Sequence, residues 1–437
     1  MWGLHGQSMR GKTGPGMSKN IKRILVYTHN SIGLGHAFRT LAVITGIRKW
    51  RPDINFLVIS STSVPQIFFD EGIDVIKLPS VKLDIDCKSE PMQPRYLADC
   101  DLESIFDFRQ RLILETFDFF RPDVLLVEHN MTGQMSELMP LLMKKWMRQG
   151  GPADFILAHM CRGIMRWVPL LSIPYQNPRH RSESINIGKL YDFMYVLEDR
   201  QVIDINKAFL GNDPELEKKI RYLGKITNKI YEELPDRQST LSNFALPDKP
   251  VILVSLGRNR MVPVLSKKLL QIFEEAQISR DYQVLMVLDT YLDRELACDV
   301  RSYRGSKSVR FLDFVPDLVD LVNHSELVIS RAGYNTFNEV LLTGAKALLI
   351  PESHGSREQE QRCRSVPYEN IVVKTEEELL LDDSVDLIRN LLNGGRPRVP
   401  TKFNKYELGK AMIEEMEEWT TQKHESRNWI AELRIQS

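Results

Sequence analysis

This chain of 437 residues has no excess of either charge, few cysteines and no long apolar run. Lysine plus arginine and aspartate plus glutamate each total 58, so the formal net charge is zero, which argues against bulk nucleic-acid binding. The five cysteines show no CxxC spacing, so neither a zinc site nor a disulfide framework is predicted, and a reducing cytosol fits. No apolar run approaches the roughly 18 residues needed to span a bilayer. We therefore expect a cytoplasmic protein of about two to three domains.

The first sixteen residues lack the apolar core of a signal peptide. We predict residues 1–20 to be a disordered extension, with Met17 as an alternative functional start. Residues 6–13 match the G-x-x-x-x-G-K-[ST] phosphate-loop pattern, but such a loop works only between a strand and a helix. Only five residues precede it and Gly14-Pro15-Gly16 follows it, so we interpret this match as a coincidence.

Apolar runs rich in β-branched residues alternate with helical patterns along the rest of the chain. Strands are predicted at residues 21–27, 53–60, 74–78, 121–127, 154–158, 193–197, 251–255, 283–287, 309–312, 326–330 and 347–350. Helices are predicted at residues 37–50, 102–120, 135–148 and 264–276, and again between the last two strands. This alternation predicts an α/β protein with doubly wound parallel sheets, which bind ligands at the carboxyl ends of their strands.

A polar, turn-rich segment separates two halves of similar architecture. We predict a Rossmann-like domain at 21–235, a linker at 236–248 and a second Rossmann-like domain at 249–405. The charged segment 406–437 is predicted to be a helix that packs back on the first domain. Two such domains facing each other leave a central cleft, and clefts between domains are frequent ligand sites.

The stretch Glu326–Ile350 is predicted to form a strand, a glycine turn, a helix and a further strand. The first N–H groups of a helix lack partners and its dipole is positive there, so a diphosphate fits. Asn335 and Thr336 are candidate caps of this helix, and Gly344 is expected to end it. An ordinary structural turn is the plainer interpretation, but the polar set at the helix start favours a binding site: Ser330, Arg331, Asn335, Thr336 and Glu339.

The loop after the first predicted strand contains Gly33, Gly35, His36 and Arg39. Two glycines allow a ligand to approach the backbone closely. His36 stands at the entrance of the next helix, where an imidazole can act as a general base or bind phosphate. Taken alone, the loop is better explained as a glycine turn with a capping histidine, since it lacks the third glycine of the dinucleotide fingerprint.

Three more loops follow strands of the second half, and the one at 351–362 is predicted to line the same cleft. Glu358 and Gln359 together suit hydroxyl-rich ligands such as sugars. The backbone of residues 311–318 can reach a flat base, and residues 255–260 carry two cations suited to phosphate. Each of these loops also has a plain structural explanation, and the D-x-D run at 84–86 is predicted to be structural.

Taken together, these pieces resemble the GT-B glycosyltransferases, especially the peptidoglycan N-acetylglucosaminyltransferase group and its uncharacterised relatives. The pieces are SIGLGHAFRTLAV (31–43), RPDVLLVEHN (121–130), FMYVLEDRQVIDI (193–205), ILVSLGR (252–258), FLDFVPDL (311–318), SRAGYNTFNEVLLTGAKALLIP (330–351) and REQEQR (357–362). They are spread over residues 21–365, and the block at 330–351 with the later E-Q pair is the most specific of them.

The resemblance implies transfer of a hexose or N-acetylhexosamine from a UDP-sugar to an acceptor hydroxyl, with inversion and without a metal or other cofactor. It implies that Glu339 holds the ribose, that the backbone of Phe314 and Val315 meets uracil, and that Glu358 and Gln359 contact the donor sugar. His36 would be the catalytic base or a phosphate contact. The full implied donor site is Gly257, Arg258, Phe314, Val315, Ser330, Arg331, Gly333, Asn335, Thr336, Glu339, Glu358 and Gln359, and the implied acceptor side is Gly33, Gly35, Arg39 and Glu128.

Two departures from the family pattern matter. The usual double glycine after the first strand of the second domain is here Leu256-Gly257, followed by Arg258, so a guanidinium stands where backbone amides are usual. The acceptor loop has fewer glycines than the corresponding loop of the peptidoglycan enzyme. We therefore do not expect the peptidoglycan precursor to be the acceptor.

Two other functions stay open at this stage. The first alternative to a transferase is a hydrolase, because the loop GLGHAFRTLAV also resembles UDP-sugar hydrolases of the same fold. The second alternative is a non-catalytic partner that binds a nucleotide sugar. Segment Cys161–Asn186 has the character of a substrate-gripping loop, which favours a transferase. Segment Met139–Arg148 mixes apolar and basic residues as peripheral membrane helices do, although a helix packed on the sheet with a solvated basic face is the favoured interpretation.

Overall fold

The computed structural model describes residues 20–29, 34–83, 92–147, 155–164, 172–176, 182–257, 259, 261–288, 294–313, 315–353, 357–365, 368–381, 384–394 and 398–435. The phosphate-loop match at 6–13 and the D-x-D run at 84–86 lie outside these residues. So do three predicted site residues, Gly33, Arg258 and Phe314.

The first half of the chain forms a seven-stranded parallel sheet. Its strands and hairpins are β1 (Arg23–Thr28), β2 (Asn55–Ser60), β3 (Asp74–Lys77), β4 (Val81–Leu83), β5 (Met92–Pro94), β6 (Val124–Glu128), β7 (Ile156–Cys161), β8 (Ser172–Gln176), β9 (Ser182–Asn186), β10 (Phe193–Val196) and β11 (Ile220–Tyr222). The sheet order is β11-β10-β7-β6-β1-β2-β3, while β4–β5 and β8–β9 are antiparallel pairs. The pair β8–β9 lies in the predicted substrate-gripping segment.

The second half forms a six-stranded parallel sheet. Its strands are β12 (Val251–Ser255), β13 (Gln283–Val287), β14 (Val309–Leu312), β15 (Ser325–Ser330), β16 (Ala347–Leu349) and β17 (Ile371–Val373). They are arranged in the order β14-β13-β12-β15-β16-β17. The bounds of β12, β13 and β14 are those predicted from the sequence.

Helices cover both faces of the two sheets. They are α1 (Gly35–Trp50), α2 (Gln66–Phe69), α3 (Leu102–Phe120), α4 (Met139–Met147), α5 (Ile187–Leu190), α6 (Ile205–Phe209), α7 (Pro214–Glu217), α8 (Arg237–Asn243), α9 (Val262–Glu275), α10 (Arg294–Ser302), α11 (Leu318–His324), α12 (Tyr334–Thr343), α13 (Glu358–Arg364), α14 (Glu376–Leu380), α15 (Ser384–Asn393) and α16 (Lys405–Ile435). Helix α8 lies within the segment that was predicted to be a linker. Among the described helices, none combines the length and the apolar character needed to cross a membrane.

Each sheet is buried on both faces, as expected for parallel sheets. In β1, Ile24 and Val26 belong to one apolar cluster, whereas Leu25 and Tyr27 belong to the cluster on the opposite face. The second sheet likewise separates two buried clusters. The prediction of two doubly wound, parallel α/β sheets is therefore confirmed.

The C-terminal helix α16 returns to the first domain and crosses α1. The helices touch backbone to backbone at Gly46 and Gly409: a Cβ built on Gly46 would lie 2.3 Å from the carbonyl oxygen of Lys405. Near this crossing, the Trp50 indole N–H donates to the Tyr406 carbonyl oxygen at 2.8 Å. This packing ties the end of the chain to the helix that begins at the predicted acceptor loop.

Candidate active site between the two domains

Polar side chains gather where three neighbouring strands of the first sheet end. Strands β1, β6 and β7 are adjacent, and they are followed directly by His29, by His129 and by Arg162. His129 has φ 68°, in the left-handed region, where histidine is one of the more frequent non-glycine residues. Helix α1 brings His36 to the same edge, so that the three imidazole rings have centroid separations of 4.7 to 5.6 Å.

His36 is held by a buried carboxylate. Glu128 Oε2 lies 2.7 Å from His36 Nδ1, and Glu128 Oε1 accepts from Arg39 Nε at 3.1 Å. Because a carboxylate only accepts, Nδ1 carries the proton, and Nε2 of His36 keeps its lone pair. Arg39 Nη2 also lies 3.0 Å from His36 Nδ1. Both of these atoms are donors, and Glu128 accepts from both.

The electrostatics keep these imidazoles neutral at neutral pH. Burial, followed by the positive charges of Arg39 and Arg162, holds the pKa of His36 well below its usual range. Burial, followed by His36, lowers the pKa of His29 to about 3. The pKa of His129 is also held well below the usual range, chiefly by burial. A neutral imidazole with a free Nε2 is the form that accepts a proton.

The same cluster offers ligand atoms to a metal. Among the described residues, His36, Glu128 and His129 each have one such atom within 4.8 Å of the others. However, Arg39 is ion-paired to Glu128 with a side chain only 1% exposed, so the carboxylate already has a cation beside it. Because Arg162 adds a second positive charge near His36, we assign no metal to this cluster.

On the other side of the cleft, helix α12 begins directly after β15. Its N-cap is Gly333, with no side-chain hydrogen bond, so the predicted capping by Asn335 or Thr336 is wrong. Asn335 Nδ2 instead donates to the carbonyl oxygen of Gly35 across the cleft at 3.3 Å. Gly344 ends the helix with φ 63°, as predicted. The first N–H groups of α12 thus keep no side-chain cap.

A cavity of about 340 Å³ lies between the domains. Eight of the predicted site residues line it: Gly35, Arg39, Gly257, Val315, Gly333, Asn335, Thr336 and Glu339. A second pocket of about 160 Å³ shares Gly257, Gly333 and Thr336 with it and adds Ser330, Arg331 and Gln359. His36 and Glu128 do not line either pocket, and the side chain of His36 is 14% exposed.

Glu339 is the carboxylate of this cavity on helix α12. Burial, followed by Asp317 and Asp320, raises its pKa to about 7. Lys229 lies between the two aspartates, at 3.2 Å from Asp317 Oδ2 and 2.7 Å from Asp320 Oδ2. The first two turns of α12 therefore combine amide groups without a side-chain cap and a carboxyl group whose pKa is raised to about 7.

Several predicted contact residues have protein partners in the structure. Glu128 is fully buried and pairs with His36 and Arg39, and its contact with an acceptor stays a prediction. The guanidinium of Arg331 pairs with Glu376 at 2.6 Å and also donates to the Ile350 carbonyl oxygen. Ser330 Oγ donates to the carbonyl oxygen of Ser255 at 2.7 Å. These side chains shape the walls of the cleft.

The predicted sugar-contacting pair is also engaged. Gln359 Oε1 accepts from the backbone N–H groups of Ala332 and Glu352. Glu358 is 8% exposed and bonds Arg362 at 2.6 Å with Oε1 and Arg162 at 2.7 Å with Oε2. Arg162 belongs to the first domain, so the second ion pair spans the cleft.

The sequence reasoning missed part of this site. His29 and His129 follow buried strands directly, which is a signal that could have identified them. Thr227 and Asn228, in the connection between the domains, line the cavity without any local motif. Asp317 also lines it, and Asn228 Nδ2 lies 3.3 Å from Asp317 Oδ1.

Comparisons with known proteins agree with this architecture. Residues 251–393 match the glycosyltransferase family 28 C-terminal domain. The chain is 23% identical over 385 residues to the UDP-N-acetylglucosamine–N-acetylmuramyl-(pentapeptide) pyrophosphoryl-undecaprenol N-acetylglucosamine transferase of Listeria monocytogenes serotype 4b, which covers 86% of this chain and 93% of that protein. It is 27% identical over 146 residues to the enzyme of that name from Moorella thermoacetica, covering 32% of this chain and 38% of that protein.

Among solved structures, the UDP-GlcNAc 2-epimerase from Neisseria meningitidis bound to UDP-GlcNAc superposes with a TM-score of 0.58. The alignment covers 90% of this chain and 99% of that chain at 14% identity. At this level of identity the likeness shows a shared two-domain fold. The resemblance to GT-B proteins stated from the sequence is confirmed.

Proposed function

We propose that this chain, a glycosyltransferase with the GT-B fold, transfers a sugar from a UDP-sugar donor to an acceptor hydroxyl. We further propose that the donor sugar is a hexose or an N-acetylhexosamine, and that transfer inverts the anomeric carbon without a bound metal. The observation that carries the proposal is the cavity between the domains, which is lined by the start of α12 and by Glu339. Both belong to the second domain, which matches the glycosyltransferase family 28 C-terminal domain.

The donor diphosphate is proposed to lie at the first turn of α12. Gly333, Asn335 and Thr336 line the cavity there, and a Cβ built on Gly333 would meet nothing within 4 Å, so a ligand can approach the backbone. The helix dipole and its N–H groups stabilise the charge that develops on the departing UDP. Glu339, one turn further along, accepts hydrogen bonds from the ribose hydroxyls.

His36 is proposed to remove the proton from the acceptor hydroxyl. Glu128 accepts from Nδ1 and thereby orients the ring, which leaves Nε2 as the basic atom. The neutral state of the imidazole supports this role. Arg39 and Arg162 line the cavity and supply positive charge on the acceptor side of the diphosphate.

The donor site is tested by UDP binding to Glu339→Ala. A carboxylate that accepts from both ribose hydroxyls contributes roughly 1.5–3 kcal/mol, so we expect about a ten- to hundredfold weaker Kd in calorimetry. Glu326→Ala is the matched control. Glu326 is exposed near the amino-terminal end of β15, whereas the cavity lies beyond the carboxyl end of this strand. Unchanged UDP affinity in Glu339→Ala would contradict the placement.

The reaction is tested with the wild-type protein, a panel of UDP-sugars and candidate hydroxyl acceptors. Transfer to an acceptor supports the proposal. Release of free sugar and UDP at the same rate with and without acceptor would indicate a nucleotide-sugar hydrolase instead. UDP-sugar binding without turnover across the acceptor panel would indicate a binding protein.

A further inference from the structure

Tyr334 belongs to the second domain by sequence but is buried in the core of the first. It is the first residue of α12 and is 4% exposed, within the apolar cluster of the first domain. Its hydroxyl donates to the Leu197 carbonyl oxygen and accepts from the Ile226 N–H at 3.4 Å. The ring is therefore fixed against the first domain, while Tyr334 and the next two residues all line the cavity.

Two buried guanidinium groups lie near this ring. Arg39 Cζ is 5.2 Å from the ring centroid and Arg362 Cζ is 5.5 Å from it. Arg39 comes from α1 in the first domain, whereas Arg362 comes from α13 in the second. Cation–π attraction is stronger when the partners are desolvated, so the ring joins charges from both domains.

Arg39 connects this ring to His36. The charged and titratable groups that face His36 are Arg39 on its own helix, Glu128 and His129 at the end of β6, His29 at the end of β1, and Arg162 after β7. Of these groups, Arg39 also contacts the Tyr334 ring. Contacts therefore run from the Tyr334 ring through Arg39 and Glu128 to His36.

We infer that Tyr334 is a positioning residue, which couples the seating of α12 around the donor to the orientation of the Arg39–Glu128–His36 group. Its ring also borders the cavity, and its proposed effect on the reaction passes through Arg39. The inference rests on the proposed function and adds a reason for an aromatic residue at the start of the donor helix.

The test compares Tyr334→Leu, Tyr334→Phe and the control Phe337→Leu. Phe337 lies on the same helix and is 1% exposed, but it packs in the core of the second domain, away from Arg39. We expect Tyr334→Leu to lower kcat by about tenfold or more, with the KM for the donor within about threefold of wild type. Tyr334→Phe keeps the ring and should retain most of kcat.

The pH profile separates positioning from a general loss of packing. Without the ring, water reaches Arg39 and His36, and the desolvation that lowers the pKa of His36 is relieved. Since the base must be neutral, the acidic limb of the kcat profile should move to higher pH in Tyr334→Leu and stay in place in Phe337→Leu.

The outcomes separate this inference from the proposed function. A wild-type protein that turns over no UDP-sugar refutes the function itself. Wild-type turnover together with an unchanged kcat and acidic limb in Tyr334→Leu overturns the inference, as does an equal loss in Phe337→Leu. If Tyr334→Leu does not fold, Tyr334→Met, whose unbranched side chain adapts to an irregular space, carries the same expectations.

Discussion

At the scale of single residues, His36 combines a fixed ring with a free nitrogen. Its Nδ1 is bound to Glu128, and its side chain is partly exposed whereas that of Glu128 is fully buried. A general base contributes about a hundredfold or more to turnover. We therefore expect His36→Ala to lower kcat by about that factor, with an unchanged melting temperature and an unchanged Kd for the UDP-sugar.

The contrary result for His36 is equally informative. If kcat survives in His36→Ala, the imidazole only positions the acceptor. If the UDP-sugar Kd weakens as much as kcat falls, the ring contacts the donor instead.

Glu339 predicts a pH dependence of donor binding. Its pKa is raised to about 7 by burial and by Asp317 and Asp320, and only the ionised carboxylate accepts from both ribose hydroxyls. Protonation therefore competes with binding, so the Kd should weaken about tenfold per pH unit below 7 and level off above it. The measurement uses calorimetry with an intact UDP-sugar between pH 5.5 and 8.5, because the terminal phosphate of UDP itself titrates near pH 6.

Glu339→Gln is the control for this dependence. The amide does not titrate, so its donor affinity should be flat over the same range. A flat wild-type curve, or one that weakens towards high pH, would count against Glu339 as the ribose ligand.

At the scale of elements, the crossing of α1 and α16 depends on two glycines. In an exposed helix, Gly→Ala stabilises by up to about 1 kcal/mol. At Gly46 the added Cβ would lie 2.3 Å from a backbone oxygen, and at Gly409 it would lie 2.2 Å from the Gly46 carbonyl carbon. The helices must separate, so we expect Gly46→Ala to destabilise by about 1–3 kcal/mol.

Urea unfolding measures this effect. The midpoint should fall in Gly46→Ala and in Gly409→Ala, and the double variant should cost less than the sum, because one separation of the helices relieves both contacts. A raised midpoint in either single variant would show that the helices do not cross at these residues.

The elements also show how far sequence reasoning reaches. Strands β12, β13 and β14 and helix α3 have the predicted bounds, because apolar runs and a capping aspartate are local signals. Asn335 was assigned a local capping role, yet its amide reaches Gly35, 300 positions away in sequence. Glu358 was assigned to the sugar, yet it pairs with Arg162, 196 positions away. Local patterns in the sequence predict helices and strands, but they do not reveal which polar groups of the two domains contact each other.

At the scale of the whole molecule, several contacts hold the domains around the cleft. Tyr334 and Asn335 bond backbone groups of the first domain, and Arg162 pairs with Glu358. The two chain connections between the domains also meet, since Lys405 donates to the Asn228 carbonyl oxygen and pairs with Glu233 at 3.1 Å. The first of these connections lines the cavity through Thr227 and Asn228, and the second packs against it.

The ion pair across the cleft permits a test of two roles for Glu358. If Glu358 closes the domains through Arg162, both Arg162→Met and Glu358→Gln should lower kcat/KM for the UDP-sugar. The double variant should then be no worse than the more affected single variant, with a coupling energy of about 0.5–3 kcal/mol. If Glu358 instead reads sugar hydroxyls, Glu358→Gln should alter the preference among UDP-sugars, Arg162→Met should leave it unchanged, and the losses should add. The exposed pair of Arg200 and Asp204 provides the control, since Arg200→Met removes a solvated ion pair within the first domain and should leave kcat/KM unchanged.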